Sequence, residues 1–470
     1  MTVQLHDTLT GLTRPFVPLH DGQVGIYTCG PTVYAPVHIG NFRSFLFVDL
    51  LVRHLRWRGL TVTWVLNITD VDDKIIRGAA AAGEGIEVLA GRYLERFLTD
   101  AAALRMTVPD VLPRATEHVE AMADLIATLL ERGNAYRTDD GSIFFRIASW
   151  PAYGRLARLD PEGLRVGERV EADEYGKDDV RDFALWKGPK PGEPSWQTAI
   201  GPGRPGWHIE CSAMSMTHLG PSFDIHTGGV DLIFPHHEDE MAQSEAATGQ
   251  PFVGTWLHCA HLRMDGAKMA KSTGNIARVS ELLDGGISAR ALRLALISVH
   301  YRASLSHSDE SLAAAAAALE RLDSLVAALL VYREEQADDP SLPETLDVGR
   351  QAFGAALDDD LNAAAALAAV FDLVRELNRR IERRSLSSAD AARGLAVLRD
   401  LDRVLAVLPE PEAELEPAAV ALLEARDAAR AARDWAASDR LRAELAAVGI
   451  SVEDTRDGQR WRRIVEVSRG

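Results

Sequence analysis

Three short stretches carry side chains that bind soft metals: Cys29, the run His208-Ile-Glu-Cys211, and the run His236-His237-Glu238-Asp239-Glu240. Two thiolates, an imidazole and a carboxylate complete a tetrahedral zinc site. The last run follows Pro235, which suits the first turn of a helix. There His236 and Glu240, four residues apart, share one face. Seven of the 14 histidines fall between residues 208 and 261. The spacing alone does not choose among His208, His236 and His237 as the nitrogen ligand.

Two further stretches suit phosphate chemistry. In His38-Ile-Gly40-Asn41, the backbone N–H groups at a helix start bind anions, and glycine lets a ligand approach closely. A histidine there can stabilise charge on a reacting phosphate. Lys268-Met-Ala-Lys271-Ser272-Thr-Gly-Asn275 reads as a polar loop with two ammonium groups, able to fold over a triphosphate. Only six of the 51 basic residues are lysines: 74, 177, 187, 190, 268 and 271. Where lysine is this scarce, its compact charge marks a requirement rather than a generic cation.

The elements that must position these groups follow from periodicity. Residues 24–29 form a short β-branched and aromatic run broken by Gly30-Pro31. Phe42, Phe45, Leu46, Val48, Leu51 and Leu55 keep helical spacing over 39–57, closed by Gly59. Residues 61–66 read as a second strand. Strand, helix and strand in so short a span predict a βαβ unit and a parallel sheet. Its binding crevice should lie at the C-terminal strand ends, where Cys29 and Asn67-Ile-Thr69-Asp70 fall. Residues 113–200 read as an insertion packed on this domain, and 201–275 as strand and turn around the histidine-rich cluster. From 280 to 407 the chain reads as helical. A Pro/Glu linker over 409–417 follows, then a helix pair and a hairpin around 452–465.

The chain has 470 residues, 47% hydrophobic and 26% charged. That composition excludes a disordered chain and gives a prior of about three domains. No run of 18 apolar residues and no secretory signal is read, so no membrane is expected. Three cysteines, 29, 211 and 259, argue against a disulfide scaffold and for a reducing, cytoplasmic compartment. The net charge is −18, which excludes polyanion binding by bulk charge. Residues 421–470, however, carry +1, against −19 for the rest. This region holds Trp435 and the run Arg460-Trp461-Arg462-Arg463, types that stack bases and contact phosphates.

Taken in order, His38-Ile-Gly-Asn41, Asn67-Ile-Thr-Asp-Val-Asp-Asp-Lys-Ile75, Gly206-Trp-His-Ile-Glu-Cys-Ser-Ala213, Phe234-Pro-His-His-Glu-Asp-Glu240 and Lys268-Met-Ala-Lys-Ser272 resemble the cysteinyl-tRNA synthetases, of class I. The likeness spans nearly the whole chain. It implies an α/β fold: a Rossmann-type parallel-sheet catalytic domain with an insertion, then a helical bundle and a small α+β C-terminal domain. The corresponding boundaries are 1–112 and 201–280 for the catalytic halves, 113–200 for the insertion, 281–408 for the bundle and 417–470 for the anticodon-binding domain. The resemblance implies one zinc ion on Cys29, Cys211, His236 and Glu240. It implies ATP with Mg²⁺, L-cysteine and tRNA-Cys as substrates, in a monomer. His38, Lys268 and Lys271 would act on the phosphates. Gly40, Asn41, Asp231 and Lys271 would bind ATP, Thr69 and Trp207 would line the amino-acid pocket, and Trp435, Arg460, Arg462 and Arg463 would meet tRNA. Asn41, Ala270 and Thr227 depart from the family's usual His, Ser and Gly. Two alternatives are a ligase joining cysteine to an amino-sugar inositol in mycothiol synthesis, which lacks such a tail, and a non-catalytic tRNA- or nucleotide-binding relative.

Overall fold

The computed structural model describes residues 2–159, 182–264, 267–268, 277–409, 417–448, 450–455 and 458–463. It divides into two units, Met1–Leu408 and Pro409–Gly470.

The first unit is built on four parallel strands: β1 (Gln23–Thr28), β2 (Thr61–Leu66), β3 (Phe223–Gly229) and β4 (Val253–Cys259), in the order β4-β3-β1-β2. Burial on both faces explains the β1 and β2 compositions, since Val24, Ile26, Tyr27, Val62, Trp64, Val65 and Leu66 are all inside. The helix α1 (Ile39–Trp57) crosses from β1 to β2 as its spacing predicts, packing Phe42, Phe45, Leu46, Leu51 and Leu55 into the core. From β1 the chain goes to β2 on one side, while β3 lies on the other. The strand order thus reverses between β1 and β3, and their C-terminal ends open a crevice there.

The reading of 201–275 as strand and turn is only half right. Two helices interrupt it, α2 (Trp207–Leu219) and α3 (Glu238–Thr248). Residues Ile209 to Ser215 of α2 and Glu238 to Ala247 of α3 are all buried. A helix covered on every side needs no apolar stripe, so the periodic signal is missing.

Between β2 and α2 lies a five-stranded antiparallel sheet of Ala135–Arg137, Ile143–Phe145, Phe183–Lys187, Gly201–Pro205 and Trp196–Thr198. Its Ile143, Phe145 and Trp186 share one core cluster with Tyr27, Ile209 and Met241. Four long helices, Asp309–Val331, Leu342–Asp358, Ala363–Glu382 and Ser388–Leu405, share the core of α1. Polar ties join them to α1 as well. His54 Nε2 lies 3.0 Å from Asp358 Oδ1, and Trp57 donates its indole N–H to Asp400 at 3.1 Å.

In the second unit, helices Pro417–Ala431 and Trp435–Ala447 precede the hairpin Ile450–Thr455/Gly458–Arg463. A small core of Ala419, Leu423, Leu445, Ile450 and Val452 holds it. Arg426, fully buried, donates to Gln459 Oε1 at 2.7 Å and to Asp454 Oδ1 at 2.9 Å. No helix among the described residues is long and apolar enough to cross a membrane.

Candidate active site and metal centre

Cys29 is the first residue past β1, Cys211 lies in the second turn of α2, and His236 and Glu240 flank the start of α3. The fold brings these four together. The sulfurs of Cys29 and Cys211 are 3.6 Å apart, Cys29 Sγ is 3.4 Å from Glu240 Oε1, and Cys211 Sγ is 3.5 Å from His236 Nε2. His236 Nε2 and Glu240 Oε1 are 3.0 Å apart, one helical turn along α3's start. All four donor atoms lie within 4.8 Å of one another, on buried residues. Donors at ordinary zinc distances on a tetrahedron are separated by about 3.3–3.8 Å, so this set fits a zinc ion closely.

A second set overlaps the first: Cys29, His226, His237 and Glu240. His226 Nε2 meets Glu240 Oε2 at 2.8 Å, and His237 Nε2 lies 3.3 Å from Cys29 Sγ. His237 continues through Nδ1 to His258 Nε2, and His258 Nδ1 to Thr8 Oγ1, each at 2.8 Å. The first set offers two sulfurs and the second one, so the first suits a thiophilic ion better. Sequence reading missed His226 and His258; the concentration of histidines was the signal that marked them.

The electrostatics divide the site. Burial pushes the Cys29 thiol well up, with Cys211 and Glu240 adding to it. Cys211 is equally buried, yet the hydrogen bond from Cys29 and the neighbouring His236 bring it down to about 6. Burial lowers His236, but Glu240 and Cys211 outweigh it and raise the imidazole to about 10. Against burial, His226 and His236 hold Glu240 well below the usual carboxylate range. The cluster therefore carries negative charge ready for a cation, which would displace the remaining protons. Burial, aided by His226, drives His237 well down, so it stays neutral.

The other expected residues fall as follows. Trp207, 38% exposed, opens α2 and stacks on His236 with ring centroids 4.0 Å apart. Thr69 is buried; its hydroxyl donates to Glu210 Oε2 at 3.0 Å and accepts from Asn67 Nδ2 at 3.3 Å. Asn67 in turn accepts from the Gly30 N–H at 2.8 Å. This chain ties the β1 and β2 ends to Glu210, beside Cys211, another residue the sequence reading did not single out. His38 caps α1, its Nδ1 accepting from the Asn41 N–H at 3.2 Å. A Cβ on Gly40 would come within 3.0 Å of that nitrogen, so only glycine fits comfortably. Asn41 and Asp231 are exposed, the latter in the turn after β3. The Lys268 backbone pairs with Arg263; its side chain, and all of Ala270 and Lys271, lie outside the described residues. Trp435 is 59% exposed. Arg460, Arg462 and Arg463 occupy hairpin positions opposite Glu453, Ser451 and Ile450, with their side chains outside the described residues.

Residues 15–317 match the family model of the class I (C) tRNA synthetase catalytic domain. Residues 352–409 match a DALR domain, and 412–462 the cysteinyl-tRNA ligase anticodon-binding domain. A cysteine–tRNA ligase of Symbiobacterium thermophilum is 46% identical over 98% of this chain and all of its own. One of Koribacter versatilis is 43% identical over the same shares.

The chain belongs to the cysteine–tRNA ligase family.

Members of this family are aminoacyl-tRNA ligases, enzymes of protein biosynthesis. The fold agrees with more distant class I synthetases. A Mycobacterium tuberculosis methionyl-tRNA synthetase in complex with methionyl-adenylate is 19% identical, with a TM-score of 0.55 over 82% of this chain and 90% of that one. The LeuRS of Agrobacterium radiobacter K84, in a ternary complex with tRNA and LeuAMS, reaches 0.60 at 12% identity, over 84% and 87%. In this family frame the cluster at the β1 end lies in the catalytic domain, and Trp435 and the hairpin lie in the anticodon-binding domain.

Proposed function

We propose that this chain activates L-cysteine with ATP and transfers the cysteinyl group to the 3′ end of tRNA-Cys, using one zinc ion held by Cys29, Cys211, His236 and Glu240. The observation that carries this reading is the buried four-donor cluster at the crevice of a class I catalytic domain. When bound, zinc supplies a soft Lewis acid that takes a thiolate and leaves a neutral hydroxyl aside. That difference separates cysteine from serine, which a hydrophobic pocket rejects weakly. A roughly ten-thousandfold preference corresponds to about 5.5 kcal/mol, within reach of ligand chemistry and without an editing domain.

The chain's own residues do the rest. His226 holds the outer oxygen of Glu240 and so orients the inner one toward the cluster. Trp207 stacks on His236 and walls the amino-acid pocket together with Thr69. The α1 N-terminus, with Gly40 and Asn41, receives ATP phosphates, and Asp231 accepts from the ribose hydroxyls. His38, Lys268 and Lys271 stabilise the charge that develops as the cysteine carboxylate attacks the α-phosphate and pyrophosphate leaves. Mg²⁺ accompanies the ATP. Asn41 donates without carrying charge, and His38, whose Nδ1 accepts from the Asn41 N–H, donates through Nε2 as a neutral imidazole, so the cationic work falls on the lysines. Trp435, Arg460, Arg462 and Arg463 contact tRNA. The enzyme acts as a cytoplasmic monomer.

The test is cysteine-dependent ATP–pyrophosphate exchange followed by charging of tRNA-Cys, with metal analysis of the same sample. Activity with both, and one zinc per chain, supports the reading. Exchange without charging, together with ligation of cysteine to an amino sugar, would replace it.

A further inference from the structure

Arg43 lies five residues beyond His38 on α1 and is 2% exposed. Its guanidinium makes no ion pair with a carboxylate among the described residues. Nη1 donates to the carbonyl of His261 at 2.8 Å, and Nη2 donates to the carbonyls of His300, at 3.4 Å, and Ala303. The ionisable neighbour is Cys259, whose thiol burial pushes up to about 11, so it offers no anion at neutral pH. A buried cation without an anion is costly and is kept here by its carbonyl partners. What the fork fixes is therefore the backbone that carries those carbonyls.

Those carbonyls belong to one piece of structure. His261 leads directly into the strand Leu262–Met264, which pairs parallel with Leu305–His307 and antiparallel with Ala267–Lys268. His300 and Ala303 form the turn that leads into Leu305–His307. On the far side of residues 265–276, the Ile39 N–H donates to the Ala277 carbonyl at 3.0 Å, and His38 bridges Arg278. A Cβ on Gly40 would lie 3.9 Å from Leu262 Cβ. The first turns of α1 thus fasten the chain both before and after the lysine segment.

Resting on the reading of His38 and Lys268 as groups that act on the ATP phosphates, we propose that Arg43 is a positioning residue for adenylation, its fork holding the strand pair that carries Lys268 against the α1 N-terminus. Arginine is needed because a planar fork spans three carbonyls, while an ammonium is a compact point charge that cannot. Small displacements of a catalytic group cost large factors in rate.

The experiment compares the zinc-loaded full chain with Arg43→Lys, Arg43→Gln, Lys268→Ala and the double variant R43K/K268A. Single-turnover formation of cysteinyl-adenylate is measured beside cysteine affinity, zinc content and melting temperature. Arg43→Lys should slow adenylation about tenfold, and Arg43→Gln more, with cysteine affinity and zinc content unchanged. On the Lys268→Ala background, Arg43→Lys should change the rate less than about twofold, because the two act through one strand. An Arg43→Lys enzyme as fast as the parent overturns the proposal, as do losses that multiply in the double variant. Loss of cysteine affinity, zinc and melting temperature together in both Arg43 variants assigns the residue to the core and overturns it too. A parent chain with no cysteine-dependent adenylation removes the functional reading itself, and this inference with it.

Discussion

The sulfurs of Cys29 and Cys211 lie 3.6 Å apart although 182 residues separate them in the chain. One sits at the end of a central strand and the other on a buried helix, so neither can move without disturbing the core. Replacing Cys211 with serine removes a thiolate and leaves a hydroxyl that ligates zinc poorly. Cys211→Ser should lose zinc and raise the KM for cysteine together. Cys259, buried but outside both ligand sets, serves as control: Cys259→Ser should keep full zinc content. Metal analysis and exchange kinetics on both variants decide, and a zinc-replete, fully active Cys211→Ser would remove Cys211 from the ligand set.

The tail is a unit by contact, Pro409–Gly470, with its own small core. The proposed chemistry lies before residue 276. Truncation after Glu416 should therefore leave cysteinyl-adenylate formation near normal. Charging of tRNA should fall by orders of magnitude, since stacking and arginine contacts contribute about 1–3 kcal/mol each. Salt should weaken charging by the full chain through lost phosphate contacts. A truncated chain that charges tRNA as well as the full one would end the anticodon assignment.

Asp49 and Arg293 form an ion pair at 2.6 Å with both side chains fully buried. Arg53 also grips Asp49, and Arg293 donates to the Leu405 and Leu104 carbonyls at 2.7 and 2.9 Å. Arg293→Met should destabilise the protein by about 3 kcal/mol, since it strands a buried carboxylate that Arg53 only partly compensates. Urea unfolding measures this directly. Replacing both partners, Asp49→Leu with Arg293→Met, should cost less than the single change.

Burial, with the His226 imidazole beside it, pushes His258 down to about 3. The unfolded chain binds a proton there below about 6.5, while the folded chain does not until near 3. Stability from this group is thus complete above about 6.5 and is lost as pH falls toward 3. The slope should be on the order of 1 kcal/mol per pH unit. Denaturant melts at several pH values, compared with His258→Gln, check it; an equally steep slope in the variant would assign the effect to other groups.

Much of the framework was legible because it is locally encoded. The α1 spacing, the Gly59 stop and the two flanking strands are patterns that solvent and core impose on neighbouring residues, so they can be read along the chain. The helix pair and hairpin of the tail are legible for the same reason. α2 was not, and of α3 only the start was, from Pro235 and the His236–Glu240 spacing, because full burial erases the contrast between an inner and an outer face.

The residue types able to hold a metal, their three-segment clustering and the His38-capped helix start were legible in the amino-acid sequence itself. Ligand choice was not. Nothing in the spacing distinguishes His236 from His237 or His208, because each can reach a metal in some conformation. Only the packed fold turns His236 Nε2 onto Glu240 Oε1 and Cys211, turns His237 Nε2 onto Cys29 in the second, one-sulfur set while its Nδ1 meets His258, and leaves His208 against His236 Nδ1 and Asp239. A ligand set is a statement about distances between segments far apart in the chain, and those distances exist only once the core between them has closed.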